Sequence, residues 1–148
     1  MTKLSAAFGD TLSLRIKTFE LGNHTFKVRI PLSNEMDAIN QRTDVIDNDK
    51  FIARYKKAID GIQPGDGIEF TTNDVVIEGR STAELVKSAI KVENRIVEYI
   101  KLLVTEVGNL EDITYEDIDA EWPFSVQVEI LTKIGEAIQP GYKESRKN

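Results

Sequence analysis

Ser81 to Asn109, STAELVKSAIKVENRIVEYIKLLVTEVGN, is the stretch on which the reading of the fold depends. Ser81 and Glu84 have the spacing of a capping box, in which each side chain takes a backbone N–H at the start of a helix. No glycine or proline interrupts the chain until Gly108-Asn109, a natural helix stop. The segment therefore predicts one long helix over about 82–107. Its main apolar stripe is Leu85, Ala89, Val92, Ile96, Tyr99 and Leu103. A second stripe of Val86, Ile90, Val97, Ile100 and Val104 makes the apolar surface wider than a lightly docked helix needs. Such a helix is either central to a core or covered by another subunit.

Upstream, two alternating runs between Leu12 and Leu32 flank Gly22-Asn23, a dipeptide suited to the positive backbone angles of a tight hairpin turn. The second run places Phe26, Val28, Ile30 and Leu32 on one face, with Pro31 ending the strand or marking an edge. In the first run Leu12, Leu14 and Ile16 differ in parity from Phe19 and Leu21, which predicts a bulge near Lys17 or Thr18. Ser33 reads as the cap of a short helix reaching about Arg42. Asp47 or Asn48 caps a second helix, in which Phe51, Ile52, Tyr55, Ala58 and Ile59 recur until Gly61. After the turn cluster Pro64-Gly65-Asp66-Gly67, Ile68–Phe70 and Val75–Glu78 read as a small second hairpin.

Downstream, Leu110–Glu121 carries six acids and no base, interleaved with Ile113, Tyr115 and Ile118. Thr114 is positioned to cap a turn there. Pro123 suits the first position of a last helix with the stripe Phe124, Val128, Leu131, Ile134 and Ile138. The alternation of Val126, Val128 and Ile130 also permits a strand. The expected fold class is α+β, with a small N-terminal hairpin sheet packed on a mainly helical C-terminal part. The 148 residues are read as a single domain, 1–148, in which 1–10 and 142–148 are flexible tails.

Composition narrows the function. The chain is 41% hydrophobic and 30% charged, as a folding globular chain is. The absence of cysteine rules out disulfides and thiolate metal sites and fits a reducing, cytoplasmic compartment. No secretory signal and no membrane span is expected, since even Ile96–Val107 is broken by Glu98, Lys101 and Glu106. A net charge of −6 opposes binding to a phosphate backbone, so nucleic acid is not an expected partner.

The inventory of chemical groups is thin. His24 is the only histidine, so neither a typical zinc site nor a histidine-based triad is in view, and the ring reads as solvated beside the hairpin turn. Asp44, Asp47 and Asp49 resemble the start of a calcium loop but lack its central glycine and terminal glutamate. The glycines of 61–67 match no phosphate-binding loop and read as turns. Glu116 and Asp119 serve acid–base chemistry only if burial separates their pKa values, and a solvated charge run is the simpler reading. No catalytic residue, metal or cofactor is assigned, and the chain is read as a non-enzyme. The candidate protein-binding residues are Leu85, Val86, Ile90, Val97, Tyr99, Ile100 and Val104 on the long helix, and Tyr115, Asp117, Asp119 and Trp122 around the acidic run. Acids among aromatic residues steer a basic partner and then bury against it, whereas Trp122 also reads as a core staple.

The order of elements, a hairpin reading Phe19-Glu20-Leu21-Gly22-Asn23 then Phe26-Lys27-Val28-Arg29-Ile30-Pro31-Leu32, followed by helices and a closing helix after Trp122-Pro123, resembles the small tail assembly chaperones of long-tailed bacteriophages. The likeness is spread over most of the chain. It implies a non-enzymatic, cytoplasmic, mainly helical protein with a small sheet that oligomerises, coats the tape measure protein and helps recruit tail tube protein. It also implies a frameshift-extended form, with which the ending Arg146-Lys147-Asn148 is compatible. The alternative of another class is a structural virion protein of the tail, of the completion or terminator type.

Overall fold

The computed structural model describes residues 3–139. In chain order the elements are α1 (Lys3–Phe8), a 3-10 turn (Leu12–Arg15), β1 (Ile16–Leu21), β2 (His24–Arg29), α2 (Ser33–Thr43) and α3 (Asn48–Ile59). They continue with β3 (Ile68–Phe70), β4 (Val75–Ile77), β5 (Arg80–Ser81), α4 (Thr82–Ile100), α5 (Tyr115–Glu121) and α6 (Phe124–Ile138). The architecture is α+β, with a two-stranded and a three-stranded antiparallel sheet. Among the described residues no helix is long and apolar enough to cross a membrane. Within the segment expected as an N-terminal tail, Lys3–Phe8 is helical and buries no residue. The expected tail 142–148 lies outside the described residues.

The chain groups into two compact units, one built from residues up to Asn40 and from Arg95 onward, the other from Gln41–Asn94. In the first, β1 and β2 pair from Ile16↔Arg29 to Leu21↔His24. Gly22 (φ 58°) and Asn23 (φ 64°) make the two-residue turn, whose positive angles match the twist of the strands. The expected bulge is not formed. Leu12 and Leu14 belong to the 3-10 turn rather than to β1, so the change of parity is absorbed before the strand begins.

The long helix stops at Ile100, seven residues before its expected end at Val107. Leu103 bridges Val28, with Arg29 N–H donating to the Leu102 carbonyl (2.9 Å) and Val104 N–H donating to that of Lys27 (2.8 Å). The open edge of β2 thus competes with the helix for these backbone groups and takes them. Periodicity along one segment could not register that acceptor row.

The core of this unit is formed by Val28, Ile96, Tyr99, Ile100, Ile118 and Ile130 with Ile134 and Ile138, and α6 packs on both strands. The segment 126–130 is helical, which decides between its two readings. The buried stripe of α6 is Gln127, Ile130, Ile134 and Ile138, whereas Phe124 and Val128 of the expected stripe are exposed. The offset arises because a polar residue, Gln127, holds an inward position.

In the second unit Asp47 caps α3, its Oδ1 accepting from the N–H groups of Asp49 (3.0 Å) and Lys50 (3.4 Å). The expected hairpin is present and gains β5 as a third strand. Asp74 ties this sheet to the start of α4. Its Oδ1 accepts from the Tyr55 hydroxyl (2.9 Å) and from the N–H groups of Val75 (2.8 Å) and Ala83 (3.0 Å), while Oδ2 accepts from the Ser81 hydroxyl. The Ser81 Oγ in turn accepts from Glu84 N–H (3.1 Å). The Ser81 bond, foremost, and the other donors hold the Asp74 carboxyl below its usual range, against the opposing effect of burial. Burial, then the neighbouring Asp74, pushes the Tyr55 hydroxyl up.

Candidate functional site

The first unit carries a cleft of about 570 Å³, a size within the range of roughly 300–1,000 Å³ typical of ligand-holding clefts. Its apolar wall comes from Phe26 on β2, Ile100 and Leu103 at the end of α4, Leu110 and Ile113 of the following loop, and Trp122. The carboxylates of Glu106, Asp117 and Glu121 line it as well, with Lys27 and His24 contributed by β2. Three acids therefore accompany a mainly apolar surface.

Local structure explains why these side chains converge. The early stop of α4 brings Leu103 and Val104 alongside the edge of β2, so the strand-like pairing that shortened the helix also supplies part of the cleft lining. Phe26 stacks on Phe19 (5.3 Å between centroids) and meets Trp122 edge-to-face (6.4 Å, 87°), an arrangement favoured by the ring quadrupoles. The His24 ring sits edge-on to Phe26 at 4.5 Å.

Thr114 and Asp117 form a reciprocal cap on α5, with Thr114 Oγ accepting from Asp117 N–H (3.2 Å) and Asp117 Oδ2 accepting from Thr114 N–H (3.1 Å). From the helix so capped, Asp117, Ile118 and Glu121 line the cleft. Behind it Gln127, 0% exposed, satisfies three groups at once. Its Nε2 donates to Asp119 Oδ1 (3.0 Å) and to the Trp122 carbonyl (2.8 Å), and its Oε1 accepts from the Tyr115 hydroxyl (2.8 Å).

The sequence-predicted residues are thus divided. Val104, Asp117, Trp122 and Ile100 reach the cleft. Tyr115 and Asp119 face Gln127 and position α5. Tyr99 and Ile100 are core residues of the first unit, with Val97 partly buried against them. Val86 and Ile90 are buried in the second unit, so neither presents a surface to a partner. Leu85 is 52% exposed and shares an outward face of α4 with Ala89 and Val92. The contributions of Phe26, Leu103, Glu106 and Leu110 to a site were missed, because they come from a strand and a loop that only the folded pairing brings together.

Among the described residues no group of three or more His, Asp or Glu side chains is placed to hold a metal ion. Asp47 of the incomplete calcium-loop pattern is engaged in the cap of α3. Comparison of the chain with protein-family models, curated proteins and solved structures returns no match.

Proposed function

We propose that this protein binds a client protein without catalysing a reaction, and that it acts in the host cytoplasm as a tail assembly chaperone of a phage or prophage. The observation that carries this reading is the apolar cleft with Glu106, Asp117 and Glu121 along it. Apolar surface removed from water stabilises a complex by about 25 cal/mol per Å² before the costs of association. The carboxylates add little to that sum but favour segments flanked by Lys or Arg and speed their encounter. An amphipathic helix of a tape measure protein, with a basic margin, has this chemistry. The resemblance in element order supports the same assignment.

Co-expression with the tape measure protein of the same genome tests the reading. The client should stay soluble and co-purify, and binding should change the emission of Trp122, the single tryptophan. Charge reversal at Glu106 and Glu121 should weaken binding roughly tenfold, most strongly at low salt. A client that remains aggregated and unbound overturns the proposal.

The second reading is a structural tail protein, favoured by the outward Leu85 and Val92 of α4 and Phe70 of β3, which a permanent assembly would cover. Mass spectrometry of purified particles separates the two. A chaperone is missing from them, and a structural protein is present in fixed copy number.

A further inference from the structure

Two apolar features of the first unit are unfilled within one chain. One is the cleft. The other is the N-terminal arm, residues 3–14, whose Leu4 is 68% and Phe8 73% exposed, with Leu12 and Leu14 also outward. Leu4 and Phe8 are four residues apart on α1 and share one face. None of the arm's residues lines the cleft of its own chain.

The arm is anchored at its base. The Arg15 carbonyl accepts from Ile30 N–H (2.6 Å), Arg15 Nε donates to the Ile30 carbonyl (3.0 Å), and its guanidinium pairs with Glu35 (2.6 Å). Gly9, at φ +76°, ends α1 in a conformation that glycine adopts without strain. The result is a short apolar helix carried on a linker from a fixed point. The charge of the helix also suits the cleft, since α1 contains Lys3 and no acid, Asp10 lying beyond Gly9, whereas the cleft offers three carboxylates, Glu106, Asp117 and Glu121, against the single base Lys27.

We infer that α1 of one copy seats Leu4 and Phe8 in the cleft of a second copy, with Lys3 toward its carboxylates. This rests on reading the cleft as a docking site for apolar, basic-flanked segments. It adds that the chain supplies its own occupant. The contact is heterologous, arm to cleft, so it closes when two copies exchange arms or when a ring forms. A client that takes the cleft must displace an arm, and client loading then dissolves the self-assembly.

The test uses full-length chains in sedimentation velocity over a concentration series. Wild type should gain mass with concentration. The double variant Leu4→Ser/Phe8→Ser, altered only at exposed positions, should stay monomeric. Val104→Asp, which places a charge in the cleft, should also stay monomeric. An equimolar mixture of the two should recover a complex containing both chains, because each retains the half the other lacks. A monomeric wild type, as when the arm folds onto its own cleft, overturns the inference. So does a Leu4→Ser/Phe8→Ser variant that assembles like wild type, or a mixture that stays monomeric. The tape measure client provides the separate readout. If it binds no variant while self-assembly behaves as described, the proposed function fails and the exchange stands. If it binds well while wild type is monomeric, the reverse holds.

Discussion

The amide of Gln127 donates to the carbonyl of Trp122 at 2.8 Å, across the turn where Pro123 precedes α6 as its N-cap residue. The same amide holds Asp119, and its oxygen holds Tyr115. One fully buried polar side chain thereby fixes the angle between the acidic helix and the last helix, and with it the position of the Trp122 ring.

Replacing Gln127 by Leu leaves the Tyr115 hydroxyl and the Trp122 carbonyl, both part-buried, without the partner that Gln127 supplies from the interior. A buried group left unsatisfied costs about 1–3 kcal/mol, so Gln127→Leu should lose roughly 2–4 kcal/mol, read as a lower urea midpoint at unchanged slope. The Trp122 emission should shift to the red in the native baseline, because the ring loses its fixed seat.

Glu35 gives the acid limb of stability. Its Oε1 accepts from Leu32 N–H (2.8 Å), and its two oxygens meet Arg15 (2.6 Å) and Arg29 (3.0 Å). The Leu32 bond foremost, then Arg29 and Arg15, lower its pKa from 4.5 to about 2 against the opposing effect of burial. A depressed carboxyl pKa stabilises the fold fully above the unfolded value and loses that contribution as pH falls from 4.5 toward 2. The trio is partly exposed, so solvent screening reduces the effect to about 1–2 kcal/mol. Glu35→Gln should cost that amount at pH 7 and flatten the stability curve between these two pH values, as measured by denaturation at successive pH.

Glu93 is buried, and both its oxygens meet Arg54 (2.6 and 2.7 Å), with Lys50 Nζ at 3.3 Å. Arg54→Ala leaves this carboxylate with weaker compensation. Breaking a buried pair costs about 3–5 kcal/mol, and the remaining Lys50 should hold the loss to roughly 2–3 kcal/mol. The double variant Arg54→Ala/Glu93→Leu should recover part of it in the same thermal or urea assay, since the stranded charge is gone.

Gly135 lies inside α6, where a Cβ would sit 3.9 Å from the Tyr99 ring, an ordinary contact. Alanine lowers the entropy of the unfolded chain and improves helix propensity by about 0.5–1 kcal/mol. Gly135→Ala should therefore raise the melting temperature by a few degrees.

What the sequence makes legible is what is local. The Gly22-Asn23 turn, the Asp47 cap of α3 and the Thr114 cap of α5 depend on neighbours a few residues away, and each is present. Elements whose limits are set from a distance are not legible in this way. Leu102–Val104 continues a helical pattern, yet the edge of β2 takes it. Gln127 reads as a polar interruption until Tyr115, Asp119 and Trp122 are brought around it. The acidic run and Trp122 were the visible half of the cleft, and the half made by Phe26 and Leu103 depended on the same distant pairing.

That pairing also orders events in time. The β1–β2 hairpin closes through a two-residue turn and needs nothing beyond Arg29, so it can form within microseconds, and early in synthesis. Leu103 reaches Val28 only after the intervening chain has been made, and loop closure over that span slows the step. Trp122 leaves the ribosome later still. A nascent chain therefore displays Phe26 on an uncovered strand edge well before it owns a cleft, and the cleft is completed only once Leu103 and Trp122 have both been made.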